Sequence, residues 1–403
     1  MKRFLLPSLL LLSTIASSQS FIQAYKNRAS QVTQANINTL LTDFTAFGVK
    51  TTGSTANNNA FTWLKNKYLS FGYTAAEITE NAFTYSGKQT KNLIVTKTGT
   101  EYPNKFLIIC GHYDTITGTG TNDNGSGTSI ILEAARILEN VSSEYSIKFI
   151  NFSGEEQGLL GSQAYVTNVV KATNPRMDIL LVINLDEVGG VAGMVNDKIY
   201  AEKDGTPTFP SGMYTTYPST NNAASAIKTT EFKNSILNYS NITPVDNYIE
   251  RSDYMPFEKE GYVVTGLYEY NQSTKPHTAG DTYINMDPVY VYNVAQGVVG
   301  AIQHFSTAAT DITLSTNESS KNLQDRISIF PNPANDFVNI GLDGKGYTTS
   351  ISDISGRKVQ ETNDQQNLDT SKLKNGVYLV TITMSGESVT KKLIIKKEFF
   401  NYY

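Results

Sequence analysis

Three runs of this sequence, FLIICGHYD, SIKFINFSGEE and DILLVINLDEVGG, lead from apolar residues into His, Asp or Glu, and the first and third are apolar over five consecutive positions. Unbroken apolarity over so short a run marks a strand covered on both faces, which confines the chain to layered architectures with helices on either side of a sheet. NLIVTK and YVVTGLYEYN extend the series. The segments between are helical in pattern: GTSIILEAARILENV puts Ile131, Ala134, Ala135 and Leu138 on one stripe, and LLGSQAYVTNVVKAT is a second candidate. Upstream, residues 21–72 are expected to be helical, with Phe61, Leu64, Tyr68 and Phe71 at helical spacing and Trp63 packed among them. Alternating strands and helices predict an α/β fold with a doubly wound, mostly parallel sheet flanked by helices.

In open α/β sheets, functional groups gather outside the carboxyl ends of the strands. The first run delivers His112 and Asp114, the second Glu155 and Glu156, the third Asp186, and the segment after YVVTGLYEYN leads to His277. Asp123 sits in GTNDNGSG, a glycine-rich turn before a helix. The chain has only three histidines, and two of them fall in this set. The third, His304, is expected to be a packing residue on a late helix. Imidazoles and carboxylates suit zinc, and two ions a few Å apart can act together on one water and one carbonyl. The set divides so that each of two zinc ions per chain takes one His, one terminal carboxylate and a share of a bridging Asp. One member of the adjacent Glu155/Glu156 pair is then left as a general base. Asp114, two residues past His112, is placed to orient that imidazole.

Composition sets the outer bounds. The chain has 403 residues, 39% hydrophobic and 17% charged, with net charge −4, which is globular and carries no basic excess for a nucleic-acid partner. Residues 1–18 read as a signal peptide, with Lys2 and Arg3 before an apolar run and small residues near Ser18. No later stretch has the length and apolarity of a transmembrane anchor. The lone Cys110 has no intramolecular disulfide partner and lies within an apolar run, as a buried small hydrophobe does. Residues 19–312 are expected to form the catalytic domain, 313–325 a polar linker, and 326–403 a small C-terminal β-sandwich of short alternating strands.

The motifs GHYDT, NDNGSG, GEEQGLLGS, NLDEVG, RSDYMPF and KPHTAGDT occur in this order. As a series they resemble the secreted bacterial di-zinc aminopeptidases, a family related to glutaminyl cyclases and transferrin-receptor-like proteins. The resemblance implies a zinc-exopeptidase fold in which His112 and Asp186 bind one zinc, Glu156 and His277 the other, and Asp123 bridges. It also implies Glu155 as general base, a Tyr254 hydroxyl that stabilises the oxyanion, and a cis peptide at Asp123–Asn124. The substrates would be peptides with a free amino terminus. The ligands alone are equally compatible with a carboxypeptidase or a dipeptidase, and a glutaminyl cyclase-like transferase or a non-catalytic binding ectodomain remain the alternatives. FPNPANDFVNI, ISDISGRKV, LKNGVYLVTI and KKLIIKK resemble the sorting domain of type IX secretion cargo, although EFFNYY extends past the usual final strand. This implies recognition by the type IX machinery and a protein exported through the periplasm, then secreted or held at the cell surface. A monomer is expected.

Overall fold

The computed structural model describes residues 19–205, 221–249, 251–310, 327–342, 346–384 and 387–397. The expected signal peptide, linker and EFFNYY extension therefore lie outside the described residues. The chain divides at residues 313/314 into two compact units.

The first unit opens with three helices, α1 (Gln23–Ala29), α2 (Gln34–Thr45) and α3 (Thr55–Phe71). Ser54 caps α3 by accepting from the Asn57 N–H, and Gly72 ends it in the left-handed conformation. Trp63 packs against Phe44 and Phe47. Eight strands follow: β1 (Ile78–Tyr85), β2 (Lys88–Lys97), β3 (Tyr102–His112), β4 (Tyr145–Phe152), β5 (Asp178–Leu185), β6 (Lys198–Lys203), β7 (Thr243–Tyr248) and β8 (Val264–Glu269). Their spatial order is β1-β2-β4-β3-β5-β8-β6-β7. The four central strands β4, β3, β5 and β8 are mutually parallel, as are β6 and β7. The β1–β2, β2–β4 and β6–β8 pairings are antiparallel, so the sheet is mixed. Beyond the strands expected from near residue 91, the sheet contains β6 and β7, which lie outside the expected runs, and β1, which precedes them. The cue to β1 is Ser86-Gly87, both at positive φ, the two-residue turn that matches strand twist and closes a hairpin.

Alternate residues of the central strands enter two separate cores. Leu107, Ile109, Ile183, Leu185 and Leu267 face the larger one, with α1 to α3, α4 (Gly125–Leu138), α6 (Asn222–Tyr239) and α8 (Pro288–Phe305). Ile108, Cys110, Ile150, Val182 and Val264 face the other, under α5 (Leu160–Tyr165), the π turn Val166–Val170 and α7 (Met255–Lys259). That is why apolar residues stand at consecutive positions in these strands: each such side chain has a packed layer on its own face. No described helix is long and apolar enough to cross a membrane.

The second unit pairs a three-stranded sheet, β9 (Ser328–Phe330), β10 (Phe337–Gly341) and β13 (Asn367–Asp369), with a four-stranded one, β11 (Tyr347–Asp353), β12 (Lys358–Asn363), β14 (Gly376–Met384) and β15 (Glu387–Ile395). Among the described residues the pairings of these strands are antiparallel, and Ala334 makes one parallel bridge to Ile395. Val338, Ile340 and Leu368 from the first sheet share one core with Ile351, Val380 and Leu393 from the second, which makes a sandwich.

His304, near the end of α8, accepts or shares a proton with the Tyr239 hydroxyl at 2.8 Å and meets Tyr25 edge-on. Burial pushes its pKa down to about 4. An unfolded histidine takes a proton near pH 6.5. Between those values the unfolded chain binds the extra proton, so folding stability falls as pH drops from about 6.5 towards 4. Urea midpoints at pH 7.5 and pH 5 should differ less in His304→Gln than in the parent protein; equal differences would remove His304 from this account.

Candidate metal centre

The four central parallel strands end on one rim, and the chain moves from β3 out to β4 and back to β5 on the opposite side of β3. Such a reversal opens a crevice at the strand ends. His112 is the last residue of β3, Glu155 and Glu156 lie just past β4, Asp186 directly follows β5, and His277 lies in the loop leaving β8. Asp123 precedes the Asn124 cap of α4. The cis peptide at Asp123–Asn124 is present, and His277 sits at φ +58°, a conformation that costs a non-glycine residue energy and is tolerated where surroundings enforce it.

Two groups of ligand atoms converge here: His112, Asp123 and Asp186, and Asp123, Glu156 and His277. Within each group the atoms lie no more than 4.8 Å apart. His112 Nε2 is 3.1 Å from Asp123 Oδ1 and 3.2 Å from Asp186 Oδ1. His277 Nε2 is 3.1 Å from Asp123 Oδ2 and 2.8 Å from Glu156 Oε2. Asp123 thus turns one oxygen to each half.

Each of these groups is held by others. Asn124 caps α4 through Gly127 N–H and donates its own amide to the Leu185 carbonyl, beside Asp186. A Cβ at Gly127 would fall 2.3 Å from that carbonyl and 2.5 Å from Asn124 Oδ1, so the helix can start this close to β5 only with glycine there. Asp281 accepts the backbone N–H groups of Asn122 and Asp123, one on each oxygen, and ties the His277 loop to the Asp123 loop. Asp186 accepts the Ser252 hydroxyl at 2.6 Å, and Ser252 in turn accepts from Asn184. Asp114 is fully buried; its carboxylate accepts Thr52 Oγ1 and the N–H groups of Glu155 and Glu156. The Nδ1 of His112 is 3.2 Å from the Asp114 carbonyl and 3.7 Å from its carboxylate, so the backbone oxygen is the nearer partner. Tyr254 is buried at the start of α7 and donates its hydroxyl to Glu202 Oε2 at 2.9 Å.

The electrostatics describe a site built for added positive charge. Among the described residues, no Lys or Arg lies within ion-pair distance of Asp123, Glu156 or Asp186. Burial would raise the Asp123 pKa, but hydrogen bonds from both imidazoles hold it well below the carboxylate range. The same bonds from Asp123 and Glu156 push His277 up to about 11. His112 is lowered by burial and raised by more than that through Asp186 and Asp123. Burial raises Glu155 well above an ordinary glutamate, with Asp186, Asp253 and Asp114 adding to it against His112. Burial, then Asp123 and Asp186, push Glu187 up to about 10. The acids raise the proton affinity of both imidazoles, and a metal ligand at either place must be neutral. His and carboxylate donors in this number suit zinc.

Ser252, Asp281 and Glu202 are not among the site residues expected from the sequence. The first two stand inside RSDYMPF and KPHTAGDT, where an acid or hydroxyl beside a candidate ligand was the available cue. Glu202 lies in KIYAEK, far from any motif, and nothing in the sequence points to it.

Residues 92–302, just over half of the chain, match the profile of Peptidase family M28, and 328–396 match the Secretion system C-terminal sorting domain. Over 85 residues the chain is 45% identical to aminopeptidase YwaD of Bacillus subtilis, an overlap of 21% of this chain and 18% of that protein. The fold superposes on the LapA aminopeptidase of Legionella pneumophila with a TM-score of 0.60 at 18% identity, covering 76% of this chain and 80% of that one. It also superposes on a glutaminyl cyclase of Fimbriiglobus ruber with a TM-score of 0.51 at 14% identity, covering 68% and 95%. At these identities the likeness is one of fold. The chain spans less than two thirds of the length of the curated relatives it matches. The parallel-strand rim, the paired donor groups and the matched profile together make this chain a member of peptidase family M28.

Proposed function

We propose that the protein is an exported aminopeptidase that holds two zinc ions and hydrolyses the first peptide bond of peptides with a free amino terminus. The observation that carries this reading is the pair of donor groups sharing Asp123. His112 and Asp186 would hold one ion, Glu156 and His277 the other, and Asp123 would serve both. Bound there, zinc supplies a Lewis acid for the scissile carbonyl and a lowered proton affinity for water. Both imidazoles must shed their protons to act as ligands, so metal affinity falls in acid.

Glu155 stays off the ligand set and has its proton affinity raised by burial and neighbouring acids, which suits a general base. It takes the proton from water as the water oxygen attacks the carbonyl carbon, and returns it to the amine nitrogen as the carbon–nitrogen bond breaks. The adjacent residues Glu155 and Glu156 thereby divide the work, one moving a proton and one holding metal. Asp114 accepts the N–H groups of both and so sets where each points. Tyr254 contributes its hydroxyl to the oxyanion of the tetrahedral intermediate. Residues 1–18 would direct export. The sorting-domain match supports secretion or the cell surface, with residues 326–403 recognised by the type IX machinery after a linker at 313–325.

The decisive experiment is mass spectrometry of a peptide panel, each member with a free and an acetylated amino terminus, incubated with zinc-loaded protein. Stepwise loss of amino-terminal residues from only the free forms is expected. Carboxy-terminal trimming or cyclisation of amino-terminal Gln would overturn the reaction, and no change with zinc bound would favour a binding ectodomain. Glu155→Gln should lower kcat by about 10³-fold with zinc content intact; a parallel loss of zinc would make Glu155 a ligand instead. Asp114→Asn presents an NH2 to groups that are themselves donors. It should weaken zinc binding by about 10- to 100-fold in a competition titration, and unchanged affinity would leave Asp114 a purely structural acid.

A further inference from the structure

Glu202 is a buried acid on β6 that no motif announces. Its partner across β8 is Gly266, and Gly266 in turn pairs with Asn184 on β5. Residues in register across neighbouring strands share a face of the sheet, so Asn184, Gly266 and Glu202 form one row. Both ends of the row grip the same short segment. Asn184 donates to the Ser252 hydroxyl, which donates to Asp186, and Glu202 accepts the Tyr254 hydroxyl. The middle of the row is empty by necessity. A Cβ on Gly266 would come within 2.7 Å of both Glu202 Oε2 and Tyr254 Cε1, so only glycine lets the acid and the phenol meet.

We propose that Glu202 is the positioning residue for the Tyr254 hydroxyl, fixing the phenol over the Gly266 gap so that it faces the reacting carbonyl. This rests on the reading of Tyr254 as the oxyanion donor. A phenol has a single proton, and in this structure that proton is directed to Glu202. Donation to the developing oxyanion therefore requires the proton to turn from Glu202 to the substrate oxygen: Glu202 sets where the phenol waits, and gives up that hydrogen bond as the intermediate forms. A side chain at 202 that offers hydrogens to the phenol oxygen would hold the same position and leave the phenolic proton free throughout. Glutamine does this and alanine does not.

The test is a double-mutant cycle on full-length, zinc-loaded protein with leucyl-p-nitroanilide as substrate, reading kcat and KM separately, alongside zinc content and thermal midpoint. Tyr254→Phe should lower kcat by roughly 10²-fold. Glu202→Ala should lower kcat by about 10- to 100-fold at nearly constant KM and zinc content, because a misplaced group loses its advantage in the transition state first. In the Tyr254→Phe background the Glu202→Ala change should have almost no further effect, since two residues acting as one unit are non-additive. Glu202→Gln should retain most of the parent kcat. If Glu202→Ala does not fold, Glu202→Leu and Gly266→Ala replace it in the cycle, the latter driving the two side chains apart. Full additivity, or an unchanged kcat in Glu202→Ala when Tyr254→Phe is impaired, overturns the positioning role. An unimpaired Tyr254→Phe overturns the oxyanion reading itself, which is a separate failure.

Discussion

Asp123 faces two imidazoles at once, with Oδ1 3.1 Å from His112 and Oδ2 3.1 Å from His277, and the remainder of the first unit is organised to keep it there. A buried carboxylate with two charged-type partners is stable only while both stay at hydrogen-bond distance. His112 is anchored in the central strand, but His277 arrives on a loop in a left-handed conformation. The two are brought together by Asp281, which holds the Asn122 and Asp123 backbone from the His277 side, and by Asn124, which binds the helix start to the end of β5. Loosening either loop would separate the two donor groups that share this one residue.

The same economy governs the sheet. Because both faces of the central strands are packed, polar groups inside the sheet, such as Asn184 and Glu202, are hydrogen-bonded, and the others gather at the strand ends. The acids concentrated there repel one another, and the raised pKa values of Glu155, Glu187 and Asp253 record that crowding together with burial. A molecule that needed only stability would not carry this arrangement, since unpaired buried acids weaken a fold. Crowded acids facing two imidazoles form donor groups that could hold a cation.

The sheet and most of the site were legible because each rests on local pattern. Apolar runs covered on two faces mark β3, β4 and β5, and their terminal residues supplied His112, Glu155, Glu156 and Asp186 directly. The hairpin of β1 and β2 was less legible, since β1 is half exposed and mixed in character and only the Ser-Gly turn betrays it. The antiparallel crossing of β6 against β8 was not legible at all, because strand direction depends on how the chain returns to the sheet and not on composition.

What the sequence by itself determined is therefore the set of chemical groups, their order along the chain, and the strands that carry them, because hydrophobic periodicity and ligand type are properties of residues near one another. Only the tertiary structure decided which groups meet. Asp123 and His277, Asp186 and Ser252, and Glu202 and Tyr254 are each far apart in sequence. Their contacts depend on strand order, register and the absence of a side chain at Gly266, and those are set by packing across the whole sheet.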